Sequence, residues 1–220
     1  MHFVESIQTI QNSFITHVTM KFDITTTTKN FTRGTNYCTY IVLHHTWWGS
    51  FDWNLKTLTV WAVSCHYLLG QDWKLAKIGN DENILRHCGD SQWEGKKMMN
   101  PYCIGIEIIN DWYNFTDIQR AKVRELVKYL MIVHNIPSKN IIRHKDIAPT
   151  RKVDIYDTFR NNEYKTFTDY QNSFNNVPWI EEAKTALTWN SNLRNKTNDV
   201  DLKVLLSKTN TYIRKLYNLQ

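Results

Sequence analysis

The chain has 220 residues, 42% of them hydrophobic, and carries a formal net charge of +6. That length suits one domain with an extension and leaves room for a sizeable core, while the lack of any run of 18 apolar residues excludes a membrane-spanning helix. Lys and Arg are spread along the chain rather than clustered, which argues against a nucleic-acid binder, and the mild positive charge suits an anionic partner without requiring one.

Residues 1–19 lack a strong pattern and read as a loose extension. The opening "MHFVESIQTIQNSF" has no basic stretch followed by an apolar one, so no secretory signal is expected. From Met20 the chain is Thr-rich and of extended propensity. "CTYIVLHH" reads as a buried strand, and side-chain alternation sends His44 and His45 to opposite faces. "LTVWAVSCHYLLG" contains a second strand and "QDWKLAKIG" a third, paired as a hairpin that turns at Asp72-Trp73. "CIGIEIIN", residues 103–110, is a further strand.

The strongest helix signal follows. Thr116 can cap it and Gln119 stands three residues on, the spacing of a capping box. Val123, Leu126, Val127, Leu130 and Val133 form an apolar stripe at helical spacing, and the helix should end before Pro137. "NIIRH" is a short strand and "KDIAPTRKVD" a loop stiffened by Pro149. Residues 20–170 are therefore expected to form the domain. Residues 171–220 are polar and Asn-rich, then amphipathic, and are expected to form a helical C-terminal extension with no assigned role. Strands and helices mix without strict alternation, which predicts an α/β fold with a mixed central β-sheet flanked by helices.

The four cysteines, Cys38, Cys65, Cys88 and Cys103, include no C-x-x-C pair, so a zinc ribbon is not expected. They read as buried small side chains.

The chemistry gathers around "IIRHKDIAPTRKVD". Asp154 lies ten residues after His144, across a loop that can return to its starting strand. With a histidine from "LHHT" there are three nitrogen and oxygen ligands, and three protein ligands plus water is the pattern of a catalytic zinc site. Histidines at strand ends are also common as surface groups or satisfied core groups, and spacing alone leaves both readings open.

"IVLHHT", "VSCHYLLGQDWKLAKIG", "RHCGDSQWEGK", "NPYCIGIEIIN" and "IIRHKDIAPTRKVD" resemble, in order and spacing, the zinc-dependent N-acetylmuramoyl-L-alanine amidases. That fold is shared by phage amidase lysins, bacterial muropeptide amidases and animal peptidoglycan recognition proteins. The resemblance covers roughly residues 37 to 160. It implies a Zn2+ cofactor held by His44, His144 and Asp154, and leaves His45 without assigned chemistry. It implies that Glu107 activates water, that Lys152 polarises the scissile carbonyl, and that His87 binds substrate on the groove wall. Some phage members instead carry a tyrosine where this chain has Cys65 and lack the glutamate, so this chain fits the glutamate-type mechanism. The implied reaction is hydrolysis of the amide between N-acetylmuramic acid and L-alanine in bacterial peptidoglycan or muropeptides. A lysin or autolysin acting at the bacterial cell wall after release is the expected setting. The alternative is a non-catalytic peptidoglycan-binding protein of the same fold.

One compositional feature stands apart. There are 9 Trp and 7 Gly, whereas average glycine usage of roughly 7% predicts about twice as many glycines. Asp72-Trp73-Lys74 stands where relatives have Asp-Gly-Lys, and a tight hairpin favours Asp-Gly. Trp47, Trp48, Trp61 and Trp112 also fall where glycine would read naturally, whereas Trp93 matches a family aromatic. Two explanations stay open. The tryptophans bind glycan rings or pack, or they mark UGA codons that the source organism reads as glycine.

Overall fold

A computed structural model describes residues 20–46, 49–110, 114–160 and 163–175. The expected N-terminal extension, nearly all of the expected C-terminal one, and Trp47, Trp48 and Trp112 lie outside the described residues.

In chain order the elements are β1 (Ile24–Thr25), β2 (Phe31–Thr32), β3 (Tyr40–Thr46), α1 (Phe51–Val60), β4 (Tyr67–Leu69), β5 (Leu75–Lys77), β6 (Ile84–Leu85), β7 (Gln92–Trp93), β8 (Lys96–Lys97), β9 (Cys103–Ile109), α2 (Asp117–His134), β10 (Ile141–Arg143), α3 (His144–Ile147) and α4 (Phe167–Asn172). Six strands form one sheet in the order β1-β5-β4-β9-β3-β10. Its pairs are parallel except for the β4–β5 hairpin. This is the mixed sheet with flanking helices that the sequence predicts.

The two central strands explain themselves. Parallel strands covered on both faces read as continuous apolar runs. Ile41, Val42 and Leu43 of β3 and Ile104, Ile106 and Ile108 of β9 are all fully buried. Each such side chain contributes about 1.5–3 kcal/mol relative to exposure. The two strands pair over their whole length, from Tyr40↔Cys103 to Thr46↔Ile109.

Alternation then sorts the two faces of the sheet. Ile41, Leu43, Ile104, Ile106 and Ile108 pack in one core with Val123, Leu126, Val127 and Leu130 of α2. On the opposite face Tyr40, Val42 and Cys103 pack with Cys88, Met99, Ile142 and Ile147, and Leu68 packs with Phe51 and Leu58 of α1. The α2 capping box forms as expected, with Thr116 Oγ1 accepting from Gln119 N and Gln119 Oε1 accepting from Thr116 N. Asn135, in the left-handed conformation, ends the helix before Pro137. The packed core continues past residue 170, through Phe174.

Three local expectations change. Residues 51–60, for which no helix was expected, form α1, capped by Ser50 accepting from Trp53 N; the strand expected within "LTVWAVSCHYLLG" is Tyr67–Leu69. Val133, assigned to the buried stripe, is 42% exposed, and Met131 and Ile132 are buried instead. His144 is the first residue of α3 rather than the last of β10. The four cysteines are free and buried, as expected.

Candidate metal centre and active site

The site forms at the carboxyl ends of β3, β9 and β10, where ligands bind in open parallel sheets. Register decides which side chains meet. His44 on β3 is opposite Glu107 on β9, so the two leave the same face of the sheet. β10 pairs with β3 through Arg143↔Leu43, so the next residue, His144, arrives beside His44. The loop after α3 then returns: Lys145 N donates to the Asp154 carbonyl at 2.5 Å and Lys152 N to Ala148 O at 2.9 Å.

His44 Nδ1 lies 2.9 Å from His144 Nδ1. Asp154 Oδ2 lies 2.9 Å from His144 Nδ1 and 3.6 Å from His44 Nδ1. All three residues are buried. They form a His-His-Asp group whose donor atoms lie within 4.8 Å of one another, close enough to hold a metal ion.

The donor chemistry fits a cation. His144 Nε2 lies 3.1 Å from the Cys88 carbonyl. A carbonyl only accepts, so Nε2 carries the proton and the Nδ1 lone pair points at His44 and Asp154. Arg151 Nη2 donates to the same carbonyl at 2.7 Å and holds it in place. Burial is the main cause that pushes His44 down to about 4, so its ring is neutral near pH 7. Two neutral imidazole nitrogens and a carboxylate facing one another at these distances are mutually repulsive until a positive ion joins them.

Glu107 stands at the open side of this group. Its Oε1 is 4.0 Å from His44 Nδ1, and its side chain keeps 16% of its surface exposed. Burial, then the negative charge of Asp154, pushes the carboxyl up to about 8, while Lys152 pulls it back. Lys152 is partly buried and its charge acts on both Glu107 and His44.

The other expected positions divide. His45 faces the α2 side, stacked on Tyr156 with ring centroids 4.2 Å apart, away from the metal group as alternation requires. Cys65 is buried, its thiol directed at the Tyr67 and Gly105 carbonyls. His87, read as a groove-wall residue, is only 8% exposed and sits behind His44, with Nδ1 3.0 Å from His44 Nε2. Arg151 was not singled out in the sequence. Its neighbour Lys152 drew the attention, and nothing local marks an arginine that will reach a carbonyl 63 positions away.

Comparison with known proteins gives the family and supports the fold. Residues 34–156 match the Amidase_2 family, described as N-acetylmuramoyl-L-alanine amidase. The chain is 31% identical over 134 residues to the N-acetylmuramoyl-L-alanine amidase AmiD of Escherichia coli K12, covering 52% of this chain and 47% of that protein. It is 32% identical over 93 residues to the 1,6-anhydro-N-acetylmuramyl-L-alanine amidase AmpD of the same organism, covering 42% of this chain and 51% of that one. The chain thus spans about half the length of these curated relatives. The crystal structure of an AmpD derivative superposes with a TM-score of 0.57 at 19% identity, over 70% of this chain and 96% of that one, which supports the fold. Escherichia coli AmiD, solved in complex with the substrate anhydro-N-acetylmuramic acid-L-Ala-D-gamma-Glu-L-Lys, superposes with a TM-score of 0.50 at 28% identity, over 56% and 54% of the two chains. With the family match spanning more than half of its length, this chain belongs to the Amidase_2 family of N-acetylmuramoyl-L-alanine amidases.

Proposed function

We propose that the chain is a zinc-dependent hydrolase of the amide bond between N-acetylmuramic acid and L-alanine in bacterial peptidoglycan or its fragments. The observation that carries this reading is the convergence of His44, His144 and Asp154 with Glu107 4.0 Å away on the next strand. Two imidazoles and one carboxylate are a ligand set for zinc that leaves a position open. Residues 20–170, carried on through Phe174 by the packed core, are the proposed amidase unit, and the proposed place of action is the bacterial wall. Among the described residues no helix is long and apolar enough to cross a membrane.

Each residue then has a task. A bound zinc ion supplies Lewis acidity, polarising the carbonyl and lowering the pKa of water to about 7. A cation in the site would favour the ionised Glu107 carboxyl, whose Oε1 takes a proton from the attacking water and returns it to the departing amine nitrogen of L-alanine. The Lys152 ammonium offsets charge growing on the carbonyl oxygen. His44, His144 and Asp154 hold the ion and, being buried, keep their geometry during turnover. A non-catalytic peptidoglycan binder of the same fold has no use for a complete ligand set with a carboxylate beside it, and both are present.

The test is release of free stem peptide from an anhydromuropeptide ending in L-Ala-D-γ-Glu-L-Lys. Wild-type protein with zinc should release it, chelator should abolish release, and zinc should restore it. No release by zinc-loaded protein, or equal release by Glu107→Ala, rejects the enzyme reading.

A further inference from the structure

His87 is nearly buried, and three separate contacts fix its place. Asn100 Oδ1 accepts the backbone N–H of His87 at 3.1 Å and of Cys88 at 2.8 Å. The His87 ring lies against the backbone of β9 at Gly105. A Cβ added at Gly105 would stand 2.5 Å from His87 Nδ1 and 2.7 Å from Cγ, so only glycine admits the ring. Glycine inside a strand weakens it and often marks a close approach; here the approach is by His87.

The ring's two nitrogens are both engaged. Nε2 lies 3.3 Å from the Cys103 carbonyl, which only accepts, so Nε2 carries the proton. Nδ1 of a neutral ring is then an acceptor, and it lies 3.0 Å from His44 Nε2. His44 must therefore donate from Nε2, which leaves its Nδ1 lone pair facing His144 and Asp154. The neighbouring His66 makes no claim on this atom: its Nδ1 accepts from Gly105 N and its Nε2 reaches Asn83 O. The Cys88 thiol, 3.3 Å from the same Nδ1, is a weak donor beside an imidazole N–H.

We propose that His87 is a positioning residue that sets the tautomer and ring orientation of His44 for metal binding, and that Gly105 is glycine to let it do so. One dipeptide then orients both histidine ligands, His44 through the His87 ring and His144 through the Cys88 carbonyl. The inference rests on the His44-His144-Asp154 metal centre.

Its test is zinc affinity, measured by competition with a chromophoric chelator, with the melting temperature of the metal-free proteins as the check on folding. His87→Gln keeps size and a donor for the Cys103 carbonyl but lacks an acceptor where Nδ1 stands. Outer partners of metal-binding histidines are worth about 10- to 100-fold in affinity, and His87→Gln should weaken zinc binding by that factor. Gly105→Ala, which pushes the ring away, should do the same. His87→Asn, whose Oδ1 can take the place of Nδ1, should recover most of the loss. Equal affinity in wild type, His87→Gln and Gly105→Ala overturns the inference and leaves the metal centre standing. Equal losses in His87→Asn and His87→Gln overturn the acceptor role. Failure of wild type itself to bind zinc overturns the metal centre and this inference with it. If His87→Gln does not fold, Gly105→Ala and His87→Asn decide.

Discussion

Glu107 and His44 are register partners on adjacent parallel strands, and their side chains stand on one face of the sheet with Oε1 4.0 Å from Nδ1. The spacing between the proposed base and the proposed metal is thereby set by backbone pairing in the most buried part of the molecule. Sites built on strands hold their geometry better than sites built on loops.

Replacing Glu107 with Gln keeps size and removes only the ability to take a proton. We expect kcat on the anhydromuropeptide to fall about 100- to 10,000-fold, the usual contribution of a general acid or base. Zinc content, read by elemental analysis, should stay at the wild-type level. Wild-type kcat in this variant removes Glu107 from the chemistry, and loss of zinc moves it among the ligands.

Removing a ligand should act on stability as well as on activity. A zinc ion held by the proposed site would bind only the folded chain, so zinc at a hundredfold excess over Kd should stabilise the fold by about 2.7 kcal/mol. The melting temperature of wild type should therefore rise by several degrees on adding zinc and fall back with chelator. Asp154→Ala should abolish that zinc-dependent rise. A rise of wild-type size in Asp154→Ala places the ion elsewhere.

Much of this was legible in the sequence, for definable reasons. β3 and β9 could be read because strands buried on both faces are continuous apolar runs, and α2 because its cap and its stripe agree. His44, His144 and Asp154 could be chosen together only through the family resemblance, since spacing alone left other readings of the histidines open. α1 was missed although Ser50 and Asp52 mark its start, because Leu58, Thr59 and Val60 have the composition of a strand and tertiary packing overrides propensity. Val133 was misplaced because the stripe drifts around the helix, bringing Met131 and Ile132 inward. The place of His87 could not be read at all. It depends on contacts with Gly105, Asn100 and His44, residues 13 to 43 positions away, which only the folded sheet brings together.

Asp81 offers a test of acid stability away from the site. It is buried and accepts from Tyr67 Oη at 2.6 Å, with His134 Nε2 at 2.7 Å and Lys77 Nζ at 3.1 Å. Burial opposes ionisation, but these partners outweigh it and bring the carboxyl down to about 2 from 3.8. A depressed acid stabilises the fold above its unfolded pKa and loses that contribution as pH falls through the folded one. The contribution is about 2 kcal/mol at neutral pH. The stability gap between wild type and Asp81→Asn, from urea unfolding, should be near that size at pH 7 and shrink steadily from about pH 4 toward pH 2. A gap that does not change with pH rules out ionisation of Asp81 as its origin.

Trp73 brings the compositional anomaly to a measurable point. It occupies the turn of the β4–β5 hairpin, where its N–H donates to Gly70 O, and its φ is +60. A bulky side chain with positive φ is a genuine outlier, and the left-handed conformation costs a non-glycine residue about 1–2 kcal/mol. The side chain is 56% exposed, so burial returns little. Trp61 differs: it is exposed but extended, with φ −88, so its backbone makes no demand for glycine. Trp93 packs beside the Tyr40 and Val42 cluster, as an aromatic with a structural place should. Trp73→Gly should therefore stabilise the protein by about 1 kcal/mol, since relief of the left-handed strain exceeds the entropy glycine adds to the unfolded chain. Trp73→Ala keeps the Cβ and should bring no such gain. Urea midpoints of the three proteins decide this, and a destabilised Trp73→Gly assigns the indole a packing role. If the gain appears, the codon at position 73 becomes the next observation. UGG there means the strained tryptophan is genuine, whereas with UGA the mass of the native protein decides between glycine and tryptophan.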